Sequence, residues 1–271
     1  MRRLAERAIA HGPVAPRTRP RAIFGPPSHA CRPTRRMLDT GSVASVPWLI
    51  CDADDTLWEN NIYFEHAISE FIRYLDHPRL SPVAVRQRLD EVESRNIKLR
   101  GYGTKNFARN LVECFETLRG RPASAAQRRR IVGMTDRISS GEIELLPGVV
   151  KTLAELRLRY RLALLTKGDP EEQHAKLERS GLAGFFKPVA TVPEKDVECY
   201  RDLVRQIGAD PATTWMIGNS PKSDINPALE AGLGAVLVPN PSTWSLEIQA
   251  VPESHERFRT VERFADLTVL F

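Results

Sequence analysis

The sequence predicts an α/β protein: a Rossmann-like parallel sheet core with helices on both faces, plus an inserted all-helical cap domain. Three observations predict it. A short apolar run, Trp48-Leu49-Ile50-Cys51, stops abruptly at an aspartate, as a strand buried on both faces does. Residues 60–144 then carry helical spacing and no strand pattern. From residue 148 onward, short apolar runs and amphipathic segments alternate strictly, which places the strands in one parallel sheet covered on both sides.

The elements follow in order. Helical spacing over 59–75 runs through Ile62, Phe64, Ile68, Phe71, Ile72 and Leu75. Ser81-Pro82 supplies a cap and a helix-start proline for a helix reaching about Leu99. Gly101-Tyr102-Gly103 breaks the chain, and further helices are expected over 105–118 and 124–138. The second half reads as helix 148–160, strand 161–165, helix 170–180, strand 189–192, helix 196–207, strand 214–217, helix 224–231 and strand 235–238. Gly181 and Gly232 end two of these helices. The expected organisation is a core from 46–59 and 145–271, and a helical cap from 60–144.

Bulk properties narrow the function. The 271 residues are 42% hydrophobic and 27% charged, as in ordinary globular proteins. No apolar run approaches the roughly 20 residues that span a bilayer, so no membrane segment is expected. The pI near 9.2 suggests nucleic-acid binding, but the charge is unevenly placed. Residues 1–45 hold nine Arg, no Lys and two acids, Glu6 and Asp39, a net +7. The whole chain is +5, so residues 46–271 carry −2 and give no reason to expect a nucleic-acid partner. The leader also has six Pro, and is expected to be disordered. A translation start at Met37 and a targeting role both remain open for it. The four Cys form no CxxC pair, and no His pairs with Cys at a ligand spacing. Free thiols in a reducing cytoplasm are expected, and zinc is not.

In an open parallel sheet, ligands bind beyond the carboxyl ends of the strands. What stands there is informative. The first strand ends in Asp52-Ala53-Asp54-Asp55-Thr56-Leu57 and the second in Thr166-Lys167-Gly168-Asp169. The third is followed by Pro193-Glu194-Lys195-Asp196, and the fourth by Gly218-Asn219-Ser220-Pro221-Lys222-Ser223-Asp224. Carboxylates, a hydroxyl and ammonium groups are thus delivered to one edge. Asp55 and Asp169 read more simply as caps or supporting groups, and Lys187 competes weakly with Lys195. Arg128-Arg129-Arg130 reads as a solvated helix face.

These residues resemble the haloacid dehalogenase-like hydrolase superfamily. Asp-x-Asp-x-Thr after an apolar strand matches at Asp52, Asp54 and Thr56, and the Thr, Lys and terminal carboxylate follow in order over about 46–240. The wording Asp-Ala-Asp-Asp-Thr-Leu-Trp resembles the subgroup with a helical cap after the first motif. The resemblance implies a Mg²⁺-dependent phosphatase acting on a small phosphorylated metabolite. It implies Asp52 as nucleophile forming an aspartyl-phosphate, and Asp54 as the acid and then the base. It implies Thr166 on a phosphoryl oxygen and Lys195 neutralising charge. The implied metal ligands are Asp52, the Asp54 backbone carbonyl and Asp224.

One departure is Asn219, which stands where the family often has aspartate; an amide oxygen can still ligate the metal. Lys167 is a further phosphate-binding candidate. In the cap, Tyr102 and Lys105, within the basic stretch from Arg95 to Phe107, are candidates to reach the substrate. Three alternatives stay open. One is a dehalogenase, which needs no metal. Another is a phosphonate-cleaving enzyme with a cap lysine, Lys98 or Lys105. The third is a non-catalytic regulatory module on the same fold. Oligomeric state and the identity of the metabolite are not legible.

Overall fold

A computed structural model of the chain describes residues 46–271. The expectations for the leader, residues 1–45, lie outside the described residues. Strand β1, Trp48–Cys51, is fully buried and forms the centre of the sheet. Five strands follow: β2 (Arg161–Lys167), β3 (Val189–Val192), β4 (Trp215–Gly218), β5 (Gly234–Leu237) and β6 (Phe258–Thr260). They pair in parallel in the order β3-β2-β1-β4-β5-β6. The order reverses between β1 and β4, where an open α/β sheet splays its connections and leaves a crevice.

The alternation of side chains along β1 explains the layering. Leu49 and Cys51 join one apolar cluster with Val149, Leu153 and Leu156 of α6 (Val149–Leu156) and Leu177 of α7 (Pro170–Arg179). Trp48 and Ile50 point the other way, to Tyr200, Leu203 and Val204 of α8 (Val197–Ile207) and Ala228 and Leu229 of α9 (Asn226–Glu230). Each large side chain so buried contributes roughly 1.5–3 kcal/mol. A short terminal helix, α10 (Leu267–Leu270), covers the first face through Leu267.

Between β1 and α6 the chain is helical: α1 (Asn61–Leu75), α2 (Pro82–Arg100), α3 (Thr104–Arg119), α4 (Ala125–Gly133) and α5 (Asp136–Ser140). These helices share a third apolar cluster whose buried members all fall within 67–138. The two connections to the sheet lie side by side, joined by a bridge between Trp58 and Leu145. Ser81 caps α2 as expected, accepting from Ala84 N at 3.2 Å.

Three expectations need correction. The helix expected over 124–138 is two helices, because the chain turns at 134–135, where Thr135 Oγ1 donates to Val132 O at 2.8 Å. The helix expected from 224 begins in a wider turn, Pro221–Ile225, in which Ile225 N reaches back five residues to Ser220 O at 3.1 Å. The sixth strand carries no apolar run: β6 is a three-residue edge strand with two exposed positions.

Candidate active site

The carboxyl ends of β1 and β4 meet. Asp52 N donates to Ile217 O at 2.9 Å, so Asp52 leaves the sheet beside Asn219. Thr56 joins the two loops. Its hydroxyl lies 3.1 Å from Asp52 Oδ2 and 3.2 Å from Asn219 Oδ1, and it accepts from Asn219 N at 3.1 Å. The loop after β3 carries Lys195 back over the sheet edge. Its ammonium donates to Asp52 Oδ1 and, at 2.8 Å, to Asp224 Oδ1. Asp224 is fully buried, and its other oxygen accepts from Ser220 N at 2.9 Å. Asp224 is therefore not a simple helix cap. Gly218 makes room for it: a Cβ there would stand 2.2 Å from Asp224 Oδ2.

The electrostatics follow from burial. Desolvation raises the Asp52 carboxyl to about 7, with Lys195 opposing and Asp224 adding to the rise. Burial by itself would lower the Lys195 ammonium, but Asp224 and Asp52 outweigh it and hold the lysine charged. Among the described residues Lys195 alone pairs with Asp52 and Asp224, so with both ionised the cluster keeps one net negative charge. Such a cluster calls for a further cation. The donors are all oxygens: the Asp52 and Asp224 carboxylates, the Asn219 amide oxygen and nearby backbone carbonyls. That set suits a hard divalent ion. Among the described residues there is no group of three or more His, Cys, Asp or Glu side chains placed to hold a metal, so any such ion relies on amide and backbone oxygens as well.

Asp54 turns toward α7 rather than Asp52. It accepts from Trp58 Nε1 at 2.7 Å, Gln173 Nε2 at 2.8 Å and Lys176 Nζ at 3.1 Å. Gln173 and Lys176 are not among the residues the sequence singles out. The signal was there: α7, Pro-Glu-Glu-Gln-His-Ala-Lys-Leu-Glu-Arg, has almost no apolar stripe although it covers a sheet, so part of its buried face must be polar. Asp55 and Asp169 are loop and cap groups. Asp55 accepts from Asn60 N and Asn61 N, and Asp169 accepts from Glu172 N.

A cavity of about 160 Å³ opens over this edge, lined by Asp52, Asp54, Thr166, Lys167, Lys195, Asn219 and Asp224. The Thr166 hydroxyl makes only a long contact, 3.5 Å to Lys167 O, and is available to a ligand. Lys167 is held by Ser223 Oγ at 2.7 Å and Glu247 Oε1 at 2.8 Å, under the ring of Tyr102 at 4.8 Å. Glu247 lies in the loop after β5, where no periodicity marks it. Burial would raise its carboxyl, but Lys167 and the hydroxyls of Ser220 and Ser223 hold it below the usual range.

The helical side of the cavity differs from expectation. Tyr102 lines it and donates to Glu194 across the gap. Lys105 does not line it; it is exposed, because on α3 the positions facing the cavity are Asn106, Phe107 and Asn110, roughly 100–160° around the axis from it. Arg95 and Arg100 pair with Glu113 instead, and Lys98 is exposed. The expected basic lid is thus a mostly apolar and amide surface with one acid, Glu93, and one phenol, Tyr102, and neither cap lysine is placed for a Schiff base. Gly103, with φ +109, lets the start of α3 approach α7. There Glu172 accepts from Thr104 N at 2.9 Å and Thr104 Oγ1 at 2.6 Å, capping a helix from across the cavity.

The glyceraldehyde 3-phosphate phosphatase of Methanothermobacter thermautotrophicus is 33% identical over 98 residues, 34% of this chain and 43% of that protein. The phosphoserine phosphatase of Thermus thermophilus is 36% identical over 100 residues, 35% of this chain and 40% of that protein. The matches thus span less than half the length of these relatives. A haloacid dehalogenase-like family hydrolase from Xanthomonas campestris has a crystal structure that superposes with a TM-score of 0.72 at 27% identity, covering 83% of this chain and 94% of that one. The family model for haloacid dehalogenase-like hydrolases matches residues 46–232, from just before β1 to the end of α9. That span is well over half the chain and takes in every residue of the Asp52 cluster, so the chain belongs to the haloacid dehalogenase-like hydrolase family.

Proposed function

We propose that this protein is a Mg²⁺-dependent phosphatase that hydrolyses a small phosphorylated metabolite through an aspartyl-phosphate at Asp52. The observation that carries the reading is the Asp52–Lys195–Asp224 cluster, one cation short of neutrality, at the floor of the cavity. The two phosphatases resembled over part of the chain support it. The cavity is well below the roughly 300 Å³ at which drug-sized ligands begin to fit, which favours a small ester.

Asp52, Asp224, Asn219 and the Asp54 carbonyl would hold the magnesium ion, which when bound supplies charge neutralisation beside the phosphoryl group. An Asp52 carboxylate oxygen attacks phosphorus, and the ester oxygen departs with a proton from Asp54. Asp54 then takes a proton from water, whose oxygen attacks the same phosphorus and releases phosphate and the Asp52 carboxylate. To do this, Asp54 exchanges one of its contacts to Trp58, Gln173 or Lys176 for the substrate. Thr166 and Lys195 hold the phosphoryl oxygens. Helices α1 to α5 act as a cap, hinged where Trp58 and Leu145 bridge, and closure excludes water. The free, buried thiols of Cys51 and Cys114 suit a reducing cytoplasm.

The test is release of p-nitrophenol from its phosphate ester with Mg²⁺, with EDTA, and by Asp52→Asn. Turnover should need the metal and fall by at least about 10³-fold in the variant, roughly 4 kcal/mol of barrier, with the melting temperature preserved. Activity within tenfold of wild type in Asp52→Asn would remove the nucleophile assignment. EDTA-resistant hydrolysis of a haloacid would favour the dehalogenase alternative.

A further inference from the structure

The helical side of the cavity holds a group that nothing in the chemistry above uses. Glu93 lies on the face of α2 that carries Val85, Leu89, Val92 and Asn96, a position where helical periodicity calls for an apolar side chain. It is 6% exposed, its Oε2 has no hydrogen-bond partner among the described residues, and it lines the same cavity as Asp52 and Thr166. The cation that most influences it, Arg86, is committed elsewhere, to Glu65 at 2.5 Å and Asp90 at 2.8 Å.

The neighbouring wall of Phe64, Ile68, Ile97 and Phe107 offers no hydrogen bond. Asn110 does: its Oδ1 is taken by Asn96 Nδ2 at 2.9 Å, leaving its amide nitrogen as a donor. Buried polar groups are normally paired, so an orphaned carboxyl facing a cavity points to a partner that arrives with the ligand. Burial also raises the Glu93 carboxyl to about 8, so near neutrality it is largely protonated; its carbonyl oxygen is the acceptor it offers a hydroxyl, and an ammonium group would draw the proton off it.

Resting on the phosphatase reading, we infer that Glu93 recognises a hydrogen-bond donor, a hydroxyl or an amino group, on the leaving portion of the substrate. The phosphate sits at the sheet edge among Lys195, Lys167 and Thr166, and the donor reaches the opposite wall. An ester whose leaving group is purely apolar would leave the carboxyl unpaired and be selected against. Glu93 is thus a specificity-determining residue, with no part in the transfer of the phosphoryl group.

The test is release of inorganic phosphate by the full chain with Mg²⁺ from three esters of similar size: glycerol 1-phosphate, O-phosphoethanolamine and propyl phosphate. Wild type should favour one or both donor-bearing esters over propyl phosphate by about tenfold or more in kcat/KM, the ratio expected when a site built to hydrogen-bond is left unpaired. A preference for glycerol 1-phosphate identifies the donor as hydroxyl, and one for O-phosphoethanolamine as ammonium. Glu93→Leu should abolish the preference while hydrolysing propyl phosphate within about threefold of wild type, and Glu93→Gln, which keeps an acceptor, should retain part of it. Glu93→Leu removes a buried orphan and should fold at least as stably as wild type. Equal losses on all three esters, or an unchanged preference, would overturn the inference alone. No hydrolysis of any of the three would overturn the phosphatase reading and this inference together.

Discussion

At the scale of single residues, the site separates into groups whose chemistry is legible in sequence and groups whose meaning is set by burial. Asp52, Thr166, Lys195 and Asp224 belong to the first kind. They follow apolar runs at strand ends, and a parallel sheet leaves them only one edge to occupy. Glu93 belongs to the second. Helical periodicity from Val85, Leu89 and Val92 puts it on the buried face, but only the packing of α2 shows that its carboxyl enters the cavity. Its burial has a pH consequence. A carboxyl lifted from 4.5 to about 8 in the folded state keeps its proton where the unfolded chain has lost it. Between those values the folded state binds more protons, so stability falls as pH rises and the loss is complete above about pH 8. Arg86 opposes this rise, while Asp90 and Glu65 add to it. Glu93→Gln should therefore melt like wild type near pH 5 and gain on it progressively toward pH 8, by up to about 4 kcal/mol. The measurement is denaturant unfolding of both proteins across that range. Parallel curves would show that Glu93 ionises as an ordinary surface acid.

At the scale of elements, phase on a helix decides function more than proximity in sequence. Tyr102 and Lys105 are three residues apart and both flank the Gly-Tyr-Gly break, so sequence alone ranks them together. The Gly-Tyr-Gly break before α3 puts Tyr102 over Lys167, edge-on to Trp244 at 6.3 Å, with its hydroxyl on Glu194, and the phase of α3 turns Lys105 to solvent. Helix boundaries shift by a residue or two without consequence for the fold, but a shift of one residue moves a side chain by about 100° around the axis. That is why the lid residues were less legible than the strand ends. The expected outcome follows the contacts. Tyr102→Ala should raise KM for a small phosphate ester by roughly three- to tenfold, the loss of about 1 kcal/mol of positioning, with kcat less affected. Lys105→Ala should leave both constants unchanged. Steady-state kinetics on the two variants decides it, and a Lys105 effect as large as that of Tyr102 would mean that the helical block approaches the sheet in another way during turnover.

At the scale of the whole molecule, the order of strands and helices is readable because strands of a covered parallel sheet are short apolar runs: β1, β2, β4 and β5 are largely buried, and β3, an edge strand with no buried residue, still reads Val-Ala-Thr-Val. The sixth, β6, escaped because an edge strand of three residues needs no apolar pattern. The loop after β5 escaped for the same kind of reason: Trp244 and Glu247 reach the cavity from a segment with no period, and only folding brings them beside Lys167. What no local pattern could give is the sum of charge at the centre. Two acids from β1 and from the turn after β4, distant in sequence, converge on one lysine from the loop after β3. Their mutual repulsion is a strain on the folded state that a bound divalent cation would relieve, and an ion that binds only the folded chain stabilises it by mass action. Mg²⁺ at about a hundred times its dissociation constant should therefore add roughly 2.7 kcal/mol. For a body of this size that corresponds to a rise in melting temperature of about 5–10 °C. Asp224→Asn should abolish most of the rise; its amide can accept from only one of Lys195 and Ser220 N, so the quantity compared is the Mg²⁺-dependent rise within each protein, not the metal-free melting temperatures. Thermal melts of both proteins across a Mg²⁺ titration, each repeated with EDTA, make the comparison. A wild-type melting temperature indifferent to Mg²⁺ would mean that Lys195 alone suffices for the two acids, and that the cluster is built without a place for the ion.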